Sequence, residues 1–179
     1  MANRIVALYC RGREIGFVIF YRDDMTRYGV KTIPGKRRGR GFENRIEKAV
    51  TDVLSLAGWG GVIVAERNRP TVHQGALRRI LPQVLKRVKR PGLKTHYLSL
   101  DVVKASLCGN NKALQKELVA RVGKLYPVLV RLIEGGTTEK RKYWQKVFIA
   151  VALARVAKGQ LEERFKRNRS FWNYRSKKR

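Results

Sequence analysis

Acidic residues are scarce. Only 13 Asp and Glu stand against 41 Lys and Arg in 179 residues, a formal net charge of +28. Self-repulsion at that density works against a compact state, so the imbalance implies a polyanionic partner. Cysteine is nearly absent too. Cys10 and Cys108 lie far apart, with no CxxC and no histidine at ligand spacing. That excludes a disulfide framework and a structural zinc site, and the expectation is two buried thiols in an intracellular, reducing compartment. His73 and His96 stand alone and are expected to be structural or surface residues. Long apolar runs are missing as well. None approaches the roughly 18–20 residues that span a bilayer. The run after Arg4 is six residues long before Arg11 and Arg13 interrupt it, too short for a secretory signal, and it reads as a strand.

What is present is enough for a folded domain. Apolar residues make up 44% of the chain, which supplies a core and sets it apart from a disordered basic tail. A membrane-surface protein would concentrate its basic residues on one amphipathic helix. Here they spread over the whole chain, so nucleic acid is the expected partner and a membrane is not. There is no internal repeat and no low-complexity linker. The reading is one domain over 1–158 and a basic, aromatic extension over 159–179.

Residues 4–33 carry three apolar runs, RIVALYC, EIGFVIFY and RYGVKTI, separated by Gly- or Asp-containing turns. These predict an antiparallel meander. PGKRRGRG follows as a flexible basic loop. From Phe42 the period becomes helical, with Ile46, Ala49, Val50, Val53, Leu54 and Ala57 on one face, until Gly58, Gly60 and Gly61 end it. GVIVAE then reads as a buried strand. A helix is predicted over 72–89, with Pro82 kinking or dividing it. THYLSL reads as a further strand, followed by helices over 101–107 and 113–125. A last periodic segment begins near Thr138 and runs through KVFIAVALARVAKG.

The order β-β-β-α-β-α-β-α-α implies an α/β fold with a mixed sheet, a three-stranded antiparallel meander followed by αβ units, and helices on both faces. That is the ribonuclease H-like arrangement. Three segments make the resemblance more specific. Ala7 to Phe17 resembles a first hairpin in which a strand ends in an acidic residue, a Gly-containing turn follows, and Gly16 and an aromatic, Phe17, open the next strand. Val62 to Arg67 resembles a buried strand ending in a catalytic glutamate, Glu66. Val103 to Ala113, with Lys116 and Val119 beyond, is similar to a loop of Lys, Gly and small polar residues that opens a helix. In this order, over roughly residues 4–155, they resemble the Holliday-junction resolvases of the RuvC type.

The resemblance implies a cluster of three or four carboxylates binding two Mg²⁺ ions about 3.5–4 Å apart. Most of those acids are missing here. The place at the end of the first strand falls on Tyr9, or on Cys10. The stretch before IAVALA reads Lys142-Tyr143-Trp144-Gln145-Lys146-Val147, without a carboxylate. Glu66 is the residual catalytic candidate, and its bland reading is a salt bridge to Arg67, Arg69 or Lys142. Glu139, Asp101 and Glu14 are the acids that would have to relocate. Lys142 and Lys146 would repel Mg²⁺ and attract phosphate. The expectation is a pseudo-nuclease with no catalytic residue, no metal and no cofactor, Mg²⁺ belonging only to the alternative.

Four basic elements are candidate nucleic-acid contacts. They are the loop Lys36, Arg37, Arg38 and Arg40; the helix face bearing Arg78 and Arg79; the cluster Lys104, Asn110, Asn111, Lys112 and Lys116 at a helix start; and Lys142 with Lys146. The extension adds Arg164, Lys166, Arg167, Arg169 and Arg175, interleaved with Trp172 and Tyr174. These two aromatics either stack on unpaired bases or fold back on the domain, and Phe165 is expected to extend the core face. Two function classes result. One is an RNA-binding structural component of a ribonucleoprotein, such as a ribosome or organellar ribosome, beside neighbouring proteins. The other is a metal-dependent junction endonuclease with displaced acids, or a junction-binding protein that does not cut, and the resemblance would make either a homodimer.

Overall fold

The structure, a computed structural model, describes residues 4–35, 40–58, 60–67, 76–88 and 90–176, with the backbone alone at 40 and over 167–176. Strands β1 (Arg4–Arg11), β2 (Glu14–Tyr21) and β3 (Asp24–Thr32) form the expected antiparallel meander. β1 and β2 each carry six consecutive buried residues, as strands covered on both faces do. β4 (Val62–Glu66) and β5 (Lys94–Leu98) join parallel to β1, giving a mixed five-stranded sheet in the order β3-β2-β1-β4-β5.

Alternation along the strands divides the core in two. Val6, Leu8, Cys10, Ile15, Ile63 and Ala65 face α1 (Arg40–Leu56) and α2 (Ala76–Val88). Ile5, Ala7, Tyr9, Val18, Val62 and Val64 face the other side, where α3 (Leu100–Cys108), α4 (Gln115–Leu125) and α6 (Thr138–Ser176) cover them. Between the last two lies α5 (Pro127–Val130), a single turn that the apolar period does not reveal. Cys10 is buried as expected, while Cys108 is partly exposed.

Three expectations need correcting. Pro82 does not divide α2: the helix is continuous, because Leu77 and Leu81 before it and Val84 and Leu85 after it are buried in the same core. THYLSL is shorter as a strand, since Ser99 caps α3 by accepting a hydrogen bond from the Val102 N–H. Phe165 does not extend the core face; it is 50% exposed, because α6 has left the sheet by that point.

The path of α6 positions everything that follows. Residues 146–154 are all buried, as in a helix covered on every side. Its approach to β2 depends on Gly16, where a Cβ would lie 2.4 Å from the carbonyl carbon of Lys146. Three turns later, Lys158 is paired with Asp23 at the β2–β3 turn. α6 therefore runs antiparallel to β1, from the sheet edge where β1 ends to the edge where β1 begins. Then it continues as one helix to Ser176, about 27 Å beyond Lys158 at 1.5 Å per residue.

Candidate functional site

In an open α/β sheet, ligands bind in the crevice beyond the carboxyl ends of the strands. Here β1 and β4 end side by side. Their register pairs Leu8 with Ala65, so Tyr9 and Glu66 come next, on the face covered by α6. Tyr9 is also paired with Gly16, the residue on which Lys146 packs. The strand ends thus bring together Tyr9, Glu14, Glu66 and Lys146, and α2 adds Arg78.

Arg78 reaches over the end of the sheet. Its Nε donates to the Cys10 carbonyl at 2.9 Å and its Nη2 to the Tyr9 hydroxyl at 3.2 Å. The same Nη2 lies 2.8 Å from Glu66 Oε2, an ion pair whose direction is unsuited to a hydrogen bond. Burial pushes the Glu66 carboxyl up to about pKa 7, against the pull of Arg78 in the other direction. Burial also raises the Tyr9 hydroxyl and, far more, the Cys10 thiol, with the Glu66 charge adding to both. Both therefore keep their protons at neutral pH.

The second pair sits across β2. Lys146 Nζ lies 2.6 Å from Glu14 Oε2 and donates to the Lys142 carbonyl at 2.8 Å. Only 7% of the Lys146 side chain is exposed, against 28% of Glu14. The ammonium is turned inward, with two partners inside the protein.

The acids considered for relocation do not gather here. Glu139 is 87% exposed and pairs with Lys142, at 3.7 Å. Asp101 is exposed in the first turn of α3. Among the described residues, no three His, Cys, Asp or Glu come together as a metal-ligand group.

Around these strand ends the surface is basic. Arg11, just beyond Tyr9, donates to Gln115 at 3.2 Å and so ties the end of β1 to the start of α4. That contact brings the loop of Asn110, Asn111 and Lys112, and Lys116 one residue on, to the same edge. Asn110 shapes the loop by accepting from the Lys112 N–H at 2.8 Å; Lys112 and Lys116 are exposed and Lys104 partly so. Lys142 is exposed, as is Arg79 on α2. Arg13 donates to the Gly35 carbonyl at 3.1 Å, which brings residue 35 to this edge. Lys36, Arg37 and Arg38, like His73, lie outside the described residues, as do the side chains of Arg40, Arg167, Arg169, Trp172, Tyr174 and Arg175. Arg164 and Lys166 are exposed on the far end of α6, away from these strand ends. His96 is a structural residue, 3.1 Å from Gln160.

The sequence puts Glu66 on the right strand and predicts a salt bridge there, but with other partners than Arg78. Composition assigns Arg78 to an exposed face, yet it stands three residues before Leu81 and seven before Leu85, within the buried stripe. That spacing is the available signal. Glu14 offers no comparable sign, since its link to Lys146 depends on how α6 crosses the sheet.

No family model matches the sequence, and the search of curated proteins finds no match. Solved structures do match. A Thermus thermophilus RuvC structure aligns with a TM-score of 0.62 at 15% identity, over 86% of this chain and 92% of that one. The T. thermophilus RuvC in complex with Holliday junction substrate gives 0.61 at 14% identity, over 86% and 90%. At such identity the likeness is one of fold. The chain has a RuvC-like, ribonuclease H-like fold, as the order of its elements predicts.

Proposed function

We propose that this chain is a non-catalytic nucleic-acid-binding protein on a resolvase-like scaffold, and that its partner is RNA within a large ribonucleoprotein particle. The observation that carries the reading is the pair of ion pairs at the strand ends. Where the resemblance implies metal-binding acids, Tyr9 keeps its proton, Lys146 contributes a buried ammonium, and Glu66 and Glu14 are each held by a cation of the protein itself. Such a set does not suit Mg²⁺, which needs several free oxygen donors in octahedral array. An ammonium and a guanidinium beside those oxygens oppose a divalent ion by direct repulsion. The basic edge around the strand ends then serves phosphate backbone, in keeping with the net charge of +28.

A second reading has its own support. One of the structures matched is bound to a Holliday junction, so a DNA-junction binder that does not cut stands as the alternative. One set of experiments separates them. The protein is incubated with a four-way junction and Mg²⁺, and its affinity is compared for structured RNA and junction DNA at equal salt. No cleavage and tighter RNA binding support the proposal. Tighter junction binding without cleavage supports the alternative. Mg²⁺-dependent cutting abolished by Glu66→Gln would sink both. The nucleic acid retained by the native protein through a moderate-salt purification gives the independent check.

A further inference from the structure

We infer that the chain holds two separate nucleic-acid segments, one at each end of its sheet, and so acts as a spacer between them. The inference rests on the nucleic-acid-binding reading above and specifies how many segments are bound and where.

The geometry of α6 separates the ends. At Lys146 the helix lies on Gly16, at the strand ends, where Lys112, Lys116 and Lys142 are exposed. At Lys158 it is fastened to Asp23, at the opposite edge of the sheet. Beyond that point it projects. Residues 163–166 are exposed, and the half-exposed Phe165 lies outside both apolar cores. Along one helix Arg164 stands about 27 Å from Lys146, and Arg175 about 44 Å, at 1.5 Å per residue. The Debye length at physiological salt is about 8 Å, so the two basic regions do not act as one field.

The chemistry of the projection favours a polyanion. Glu163 is the last carboxylate side chain of the sequence, and from Arg164 to Arg175 there are five basic residues and no acid. Asp23 and Glu162, the acids at its root, are already engaged by Lys158. Like charges three and four apart on a helix each cost a few tenths of a kcal/mol, and a phosphate backbone removes that repulsion. Aromatic residues among the basic ones suit unpaired bases, by stacking.

The test uses the full chain and a single-stranded RNA of about 10 nucleotides, within the usual span of one binding site. Native mass spectrometry counts oligonucleotides per chain, and sedimentation gives the number of chains per complex. The expected result is two oligonucleotides per chain, with photocrosslinks to peptides from both ends. One variant carries Lys112→Gln, Lys116→Gln and Lys142→Gln; the other carries Arg164→Gln, Lys166→Gln, Arg167→Gln and Arg169→Gln. Each is expected to bind one, and to lose the ability to draw a second, labelled oligonucleotide onto an immobilised first. Saturation of the wild-type chain at one would overturn the inference. So would retention of two by the α6 variant, which would assign that helix to a protein partner instead. Failure of the wild-type chain to bind RNA or junction DNA at all would overturn the nucleic-acid reading itself.

Discussion

Lys146 Nζ and Glu14 Oε2 meet at 2.6 Å, but the two partners are unequally buried, 7% of one side chain being exposed against 28% of the other. The damage done by breaking the pair therefore depends on which charge is left behind. Glu14→Gln strands an ammonium that water does not reach, at a cost of about 2–3 kcal/mol. Lys146→Met keeps the apolar stem and leaves a carboxylate that water can solvate, at a cost of about 1 kcal/mol or less. Urea denaturation of the two variants at neutral pH measures the difference. Equal losses would show that burial does not set the order.

Gly16 is a contact point rather than a turn. Its missing Cβ leaves room for the backbone of Lys146, whose carbonyl carbon and oxygen would lie 2.4 and 2.5 Å from it. Backbone cannot swing aside as a side chain does, so Gly16→Ala must push α6 off the sheet. We expect a loss of about 3 kcal/mol or more, with a loss of cooperativity around α6 seen by hydrogen exchange. Gly12→Ala, where nothing lies within 4 Å, provides the comparison for backbone strain alone.

The Glu66 carboxyl gives stability a pH dependence of unusual sign. In the fold it holds its proton up to about pH 7, whereas its ordinary value is 4.5. Between those values the folded chain binds more protons than the unfolded one, so this contribution is complete below pH 4.5 and is lost as pH rises through 7. The gap of about 2.5 pH units corresponds to roughly 3 kcal/mol at 1.4 kcal/mol per unit. Glu66→Gln is expected to flatten the stability profile over that window in thermal unfolding. An unchanged slope would place the Glu66 titration in the ordinary carboxylate range.

The basic edge predicts a salt effect. Lys112→Gln, Lys116→Gln and Lys142→Gln together are expected to reduce the steepness of log K against log salt by about 2–3 on duplex nucleic acid, near 0.9 for each phosphate no longer neutralised. Arg78→Gln is expected to leave that slope unchanged and to lower stability by about 2–3 kcal/mol, because its guanidinium holds Glu66, Tyr9 and the Cys10 carbonyl rather than solvent. A reduced slope for Arg78→Gln would show that this side chain turns outward when nucleic acid binds.

Much of the architecture is legible in the sequence because it depends on local patterns. Apolar runs on β1 and β2, and the apolar residues Tyr28 and Val30 on β3, separated by tight turns, make a meander, and the helical spacing from Phe42 makes α1. The tertiary structure decided the rest. Arg78 and Arg79 are alike by composition, and the spacing of Arg78 to Leu81 and Leu85 sets it in the buried stripe, but its partners Glu66, Tyr9 and the Cys10 carbonyl come from the packing of α2 across the strand ends. Glu14 and Lys146 are separated by most of the chain, and no periodicity links them; they meet because Gly16 lets α6 lie against β2. By itself the sequence determined a mixed α/β sheet, a shortage of acids and a large positive charge. Which of those charges are consumed at the strand ends, and which stay exposed to solvent, was decided by tertiary packing, since ion pairing depends on distance and burial rather than on order along the chain.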